Sequence, residues 1–321
     1  MSCRVGSQWG AMFPRAFSYH RVNSFSEASS LLSELGEEAK FLAGGQSLIP
    51  LMKLRLSTPA HLVDLNFIPG TSYIHCNGSL RLGAMTRHSE IAASAEAARL
   101  PILHDCAAGI ADPQVRNMGT IGGSIAEADP TGDWAPVLLA TGATISVTGP
   151  DGDRAIDIAD FIQDAYTTAL QPGELVTEIS IPMPRSRDAG TPGESRGSTR
   201  DGGAYIALKR CAPVYASASV AVQLTLDNEE CCREARIYLG VLGLTAKRVV
   251  TAEEALRGGP ITAPHIEKVR QAVMDLAEPV SDMRGSAEYK RHAAGALAKL
   301  AVDAAFRRAQ GECVEVTHLY A

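Results

Sequence analysis

The sequence predicts a mixed α+β chain built in two parts, and three observations carry that expectation. Two short glycine turns, Ala43-Gly44-Gly45-Gln46-Ser47 and Thr120-Ile121-Gly122-Gly123-Ser124, each follow an apolar or strand-like stretch. Positions 186–203 are rich in Gly, Ser, Arg, Asp and Thr and read as an exposed linker. Beyond them, three alternating stretches at 203–210, 214–227 and 233–243 are followed only by helical patterns, for which a sheet backed by helices is the simplest module.

Taken in order, the first ten residues form a patternless leader. Ser24 with Glu27 makes a capping box, Ala28, Leu31, Leu32 and Leu35 share one helical face, and Gly36 closes that helix. Lys40-Phe41-Leu42 reads as a short strand feeding the first glycine turn. Positions 48–56 are mostly apolar, and their two cations, Lys53 and Arg55, fit a solvated edge or a ligand contact. Positions 61–65 read as a strand, and Pro69-Gly70 as the turn opening a second subdomain.

Positions 80–84 alternate as a half-buried strand, 86–99 are alanine-rich and helical, and Pro101 opens another helix through Ile102, Leu103, Cys106 and Ile110. Asp133 occupies an N-cap position before an apolar helix; its carboxylate has lone pairs for ligand hydroxyls as well. Positions 143–148 and 175–181 alternate with period two and predict strands of one antiparallel sheet. Helices are predicted from Thr251, over 262–277 and over 286–310, with Ile266, Val269, Val273 and Leu276 forming a buried face in the middle one.

Composition narrows the function. At 321 residues and 45% hydrophobic content the chain has room for two or three cored domains. A net charge of −6 disfavours binding to nucleic-acid phosphates. No apolar stretch is long enough to span a membrane, and residues 1–7 lack the core of a secretion signal. Seven scattered cysteines without a C-x-x-C pair suit a reducing cytoplasm, and the adjacent Cys231 and Cys232 have the wrong spacing for a cluster loop. Eight histidines show no H-E-x-x-H pair, so no metal site is predicted.

The glycine turns point to an anion. A diphosphate is best met by backbone N–H groups at close range, and glycine permits that approach because it carries no Cβ. The serine ending each turn adds a hydroxyl donor, and the segment after the first turn offers a helix start. Each turn alone equally fits an ordinary tight loop; the matched pair predicts two clamps on one phosphate-rich ligand.

These residues resemble a known family, the FAD-binding medium subunits of molybdenum hydroxylases, of the aerobic carbon monoxide dehydrogenase and xanthine dehydrogenase kind. The resemblance runs from Met12-Phe13-Pro14 and Phe17-Ser18-Tyr19-His20-Arg21 through the first turn and its apolar sequel to Leu56. It continues over Gln114-Val115-Arg116-Asn117-Met118-Gly119 and the second turn, and reaches Asp282-Met283-Arg284-Gly285-Ser286-Ala287-Glu288-Tyr289-Lys290-Arg291-His292. It implies an FAD-binding domain of the vanillyl-alcohol oxidase and p-cresol methylhydroxylase (PCMH) type at 11–185, in two α/β subdomains at about 11–68 and 69–185. A C-terminal α+β domain at 204–321 would follow the linker.

The resemblance further implies that Ala43, Gly44, Gly45, Gln46 and Ser47, with Gly119, Thr120, Ile121, Gly122, Gly123 and Ser124, hold the FAD diphosphate and ribityl chain. Asp133 would bind the ribityl or ring edge, Ile110 and Val176 would flank the cofactor, and Tyr205 would lie against the isoalloxazine face. Two positions depart from the family pattern, Ala207 where a lysine is frequent and Val214 where an aspartate is. Strand alternation puts Lys209 on the same side as Ala207 and Tyr205, a possible replacement cation beside the ring.

On this resemblance the chain transfers electrons and names no catalytic side chain of its own. A large partner subunit would hold the molybdenum cofactor, a small one two [2Fe-2S] clusters, in a dimer of heterotrimers. The rivals are a self-contained flavin oxidase of the same fold and an assembly module that has lost FAD. Substrate and final acceptor (quinone, oxygen or nicotinamide) stay open.

Overall fold

The computed structural model describes residues 13–183 and 200–316, with the backbone of 319–320. The predicted leader and positions 186–199 of the predicted linker lie outside the described residues.

A small parallel sheet comes first. Strand β1 (Ser18–Arg21) leads through helix α1 (Phe25–Leu35) to β2 (Ala39–Leu42), and the short helix α2 (Leu48–Lys53) connects β2 to β3 (His61–Asp64). Both pairings are parallel, in the order β1-β3-β2, so each strand needs a crossover, which α1 and the first glycine turn with α2 supply. Ser24 Oγ accepts the Glu27 amide at 3.1 Å as the capping motif predicts, while Glu27 reaches back to the Asn23 amide at 2.7 Å, one residue beyond the cap. Val22, Ala28, Val63 and Leu65 form the small core beneath.

An antiparallel sheet of five strands follows. Its first hairpin is β4 (Ile74–Asn77) with β5 (Ser79–Gly83). Five helices then intervene: α3 (His88–Ala93), α4 (Pro101–Gly109), α5 (Pro113–Met118), α6 (Ile121–Glu127) and α7 (Trp134–Thr141). The chain returns through the hairpin β6 (Thr144–Gly149) and β7 (Gly152–Asp157), α8 (Ile158–Phe161), the small pair β8 (Ile162–Asp164) and β9 (Thr167–Thr168), and β10 (Leu175–Pro182). The order is β4-β5-β10-β6-β7, so β10 sits centrally with Ile179 and Ile181 wholly buried. The helix predicted over 86–99 stops at Ala93, where Ser94 turns extended and its hydroxyl accepts the Ala97 amide, a local bond that competes with helix continuation.

The third sheet contains β11 (Arg200–Lys209), β12 (Ala218–Leu226), β13 (Cys232–Gly240) and β14 (Lys247–Arg248), packed against α9 (Val250–Leu256), α10 (Ala263–Leu276) and α11 (Ala287–Ala309). The short β15 (Leu319–Tyr320) adds to β11 in parallel. In α10, Val269 and Val273 are fully buried, as their spacing predicts, and Ile266 and Leu276 pack at the margin. Positions 200–203 read as the end of a linker; they are instead the first four residues of β11, paired with Leu226 to Gln223. Gly202 is there for packing, since a Cβ would meet the Ala305 carbonyl oxygen of α11 at 2.0 Å.

One ion pair ties this sheet to the helices before it. Arg308 on α11 grips Asp105 on α4 with both ends of its guanidinium, at 2.6 and 2.9 Å, and also bonds the carbonyls of Gly203 and Val314. Asp105 additionally accepts the Tyr205 amide. Both side chains are almost fully buried, so the pair is desolvated and complete only because every partner is present.

Candidate functional site

The first glycine turn leaves β2 with Gly45 at φ 71°, a conformation that favours glycine. Its amides are the notable feature: among the described residues, none accepts a hydrogen bond from the backbone N–H of Gly44, Gly45, Gln46 or Ser47. Ser47 stands at the N-terminal boundary of α2 without capping it, so its hydroxyl is uncommitted there. Gln46 folds its amide back onto the Gly44 carbonyl at 3.2 Å.

The second turn behaves differently, because it is the opening of α6. Thr120 is its N-cap and accepts the Gly123 amide at 3.1 Å. The Ile121 amide bonds Thr86, that of Gly122 bonds Ala84, and that of Ser124 bonds the Thr120 carbonyl. The two clamps therefore differ: in the second turn the amides of 121–124 are engaged within the fold, and what it offers the cleft is mainly bareness of side chain. Gly122 faces away, its missing Cβ replaced by Ala84 atoms within 2.6 to 2.9 Å.

The two turns nevertheless touch. A Cβ on Gly44 would lie 2.3 Å from the Met118 carbonyl oxygen and 2.7 Å from Gly119 Cα, and one on Gly123 would lie 3.5 Å from Ala43 Cβ. Together they form one wall of an open cleft with a cavity volume of about 320 Å³. Ala43, Gly44, Gly45, Gln46, Ser47, Ile110, Gly119, Thr120, Gly123, Ser124 and Asp133 all line it. Four predicted residues do not. Ile121 is in the core, Gly122 packs on Ala84, Val176 is buried in β10, and Tyr205 is fully enclosed.

Tyr205 reaches the cleft only through Asp133. Its hydroxyl donates to Asp133 Oδ1 at 2.6 Å, and the Lys209 ammonium lies 3.6 Å from Asp133 Oδ2 while donating to the Gly109 carbonyl at 2.6 Å. Asp133 thus makes no capping bond to α7, and its two oxygens serve Tyr205 and Lys209 instead. Lys209 is 1% exposed yet lines the cleft, on the side predicted for it by strand alternation. The predicted alternative contacts Lys53 and Arg55 are exposed and lie off the lining.

His88 is the main residue that sequence reasoning missed. Only 4% exposed, it lines the cleft beside Gly119 and accepts the Trp134 indole N–H at 3.2 Å. Burial pushes its imidazole down to about 4, against an opposing pull from the Asp133 charge. No motif marks it in the chain; the one clue is that Trp134 directly follows the predicted Asp133. Pro213, Val214 and Tyr215 also line the cleft, from the connection between β11 and β12; the strand expected from 214 begins only at Ala218, which leaves Val214 and Tyr215 in the connection. With Ile110, Ala111 and Val115 they give the cleft an apolar lining beside the polar groups of the first turn.

The chain is similar to known proteins over nearly its whole length. Residues 15–184 match the family model described as FAD binding domain in molybdopterin dehydrogenase, and residues 203–305 match the CO dehydrogenase flavoprotein C-terminal domain. The carbon monoxide dehydrogenase medium chain of Afipia carboxidovorans is 42% identical over 93% of this chain and all of its own length. A solved carbon monoxide dehydrogenase from Hydrogenophaga pseudoflava, lacking the Mo-pyranopterin moiety, superposes with a TM-score of 0.84 at 38% identity, over 92% of this chain and 99% of that one. Quinoline 2-oxidoreductase from Pseudomonas putida 86 gives a TM-score of 0.83 at 30% identity, over 93% and 99%.

Proposed function

The chain belongs to the FAD-binding medium subunits of the molybdopterin dehydrogenases, and from that membership we propose that it holds FAD in the described cleft as the electron-transfer subunit of a molybdenum hydroxylase. The observation that carries the reading is the contact of the two glycine turns along one cleft, where four amides of the first lack acceptors. That cradle suits a diphosphate, and a side chain at Gly44 would push the two turns apart against Met118 and Gly119.

The residues fit the remaining parts of the cofactor. The amides of 44–47 and the hydroxyls of Ser47 and Ser124 suit the phosphates, while Ile110, Ala111, Val115, Pro213 and Val214 suit an aromatic ring. Asp133 is held in a fixed orientation by Tyr205 and Lys209 and is available to ligand hydroxyls. FAD, when bound, supplies a redox centre that takes up and gives out electrons. Lys209 places a positive charge at the cleft, favouring an anionic reduced ring, and so replaces the cation that Ala207 does not provide. Tyr205 acts by orienting Asp133.

The relatives named as medium chains support a large molybdenum subunit and a small iron-sulfur subunit as partners; the pairing of two such heterotrimers is proposed on the family resemblance alone. The domain division at 11–185 and 204–321 is supported by the spans of the two family models, with the second domain's first strand extended back to Arg200. No helix among the described residues is long and apolar enough to cross a membrane. The scattered free thiols support a cytoplasmic location, which fractionation of the expressing cell tests.

The experiment is to purify the full chain alone and record its visible spectrum and substrate turnover. Yellow protein without turnover is expected. Yellow protein with turnover favours a self-contained oxidase, and colourless protein that FAD cannot reconstitute overturns the assignment.

A further inference from the structure

We propose that His88, the first residue of α3, is a neutral hydrogen-bond donor to the diphosphate of the bound dinucleotide, adding beside the second turn a donor that the engaged amides of 121–124 do not supply. The proposal rests on the FAD reading given above and deepens it.

The tautomer follows from its partner. An indole N–H is a donor and never an acceptor, so the 3.2 Å contact from Trp134 Nε1 requires a bare lone pair on His88 Nδ1. A neutral imidazole must then carry its proton on Nε2. Burial keeps the ring neutral at any pH well above about 4. The donor is thus fixed by chemistry: an N–H on Nε2, locked in direction by Trp134, which is itself wholly buried.

That N–H has no partner within the chain. No hydrogen bond to Nε2 is formed among the described residues, although the ring is 4% exposed. Nor is Nε2 sealed in: among the described residues the side-chain atoms that are both enclosed and unpartnered are Ser29 Oγ, Ser219 Oγ and Gln223 Oε1, and Nε2 is not one of them. It reaches the cleft wall next to Gly119, where a Cβ would stand 2.8 Å from Nε2, and Gly119 in turn abuts Gly44. Nε2–H therefore stands where the two turns meet, beside the unpartnered amides of the first. A nearly buried donor left unmade costs stability, and an acceptor supplied by the ligand removes that cost.

The location selects the ligand part. The unpartnered amides of the first turn and the His88 imidazole N–H of α3 line one cleft where the two glycine turns meet, which suits phosphate oxygens. A ring or sugar would instead meet the apolar wall or Asp133.

The test uses the full chain stripped of flavin and titrated with FAD and with riboflavin, which lacks the diphosphate, read by flavin fluorescence. His88→Asn keeps an acceptor near the Nδ1 position for Trp134 and removes the distal donor. It should weaken FAD binding about tenfold and leave riboflavin binding and Trp134 fluorescence unchanged. His88→Gln, which restores a distal N–H, should bind FAD within about threefold of the native chain. Native affinity for FAD in His88→Asn overturns the proposal, and equal loss for riboflavin overturns the diphosphate as the acceptor. A native chain that binds no FAD would sink the functional reading itself, a result distinct from either.

Discussion

Asp133 and Lys209 meet 3.6 Å apart in a nearly solvent-free corner of the cleft, one from the start of α7 and the other from the last residue of β11. Both charges are largely buried, so each leans on the other and on the bonds from Tyr205 and to Gly109.

Lys209→Met should therefore destabilise the chain by about 3 kcal/mol, because it strands the Asp133 carboxylate. Asp133→Asn in the same chain should recover part of that loss. Urea unfolding of both singles and the double measures the coupling, and strictly additive effects would count against the pair. In flavin-loaded protein, Lys209→Met should also shift the midpoint potential negative, as expected when a cation beside the reduced ring is removed.

Gly44→Ala should lower FAD affinity at least about tenfold, since its Cβ meets the Met118 carbonyl oxygen and Gly119 Cα and must force the two turns apart. Gly122→Val should lose FAD too, by another route. Its Cβ strikes Ala84, so α6 is displaced and the melting temperature drops with the affinity. Differential scanning calorimetry without flavin separates the two, and an unaltered melting temperature for Gly122→Val would refute the packing role.

The pH dependence of folding should carry the imprint of His88. The unfolded chain protonates this ring near 6.5, the folded one near 4, so the unfolded state holds more protons in between. Stability is then fully present above about 6.5 and falls as the pH drops through that window, by up to about 3 kcal/mol below 4. His88→Asn should flatten this limb of the stability profile, and an unchanged slope would contradict a buried neutral ring.

Arg308→Met should cost about 3 to 5 kcal/mol, because it leaves the Asp105 carboxylate buried without its cation and frees the Gly203 and Val314 carbonyls. The bridge joins α4 to α11, so the change should also split one thermal transition into two. A single transition at the native temperature would exclude this role.

Much of this architecture was legible in the chain. Ser24 with Glu27, the Val269 and Val273 periodicity and the alternation in 175–181 are local patterns, and local patterns fix helices and strands. The glycine turns were legible for the same reason. Less legible was what depends on neighbours distant in sequence. Gly202 reads as linker until Ala305 is seen against it, and Tyr205 reads as a cleft residue until Asp133 is seen in front of it. His88 acquires meaning only from Trp134, 46 positions away. Domain spans and binding roles, by contrast, rest on the family resemblance and await the experiments above.

The connection bearing Pro213, Val214 and Tyr215 leaves one further mark. It hangs from the third sheet, whereas the glycine turns belong to the first and second. The proposed grip on the phosphates and the 213–215 part of the apolar lining are thus encoded in separate stretches of gene. Natural variation in the later stretch is free to retune redox character or the choice of electron recipient while the anchoring of the nucleotide end stays as it was.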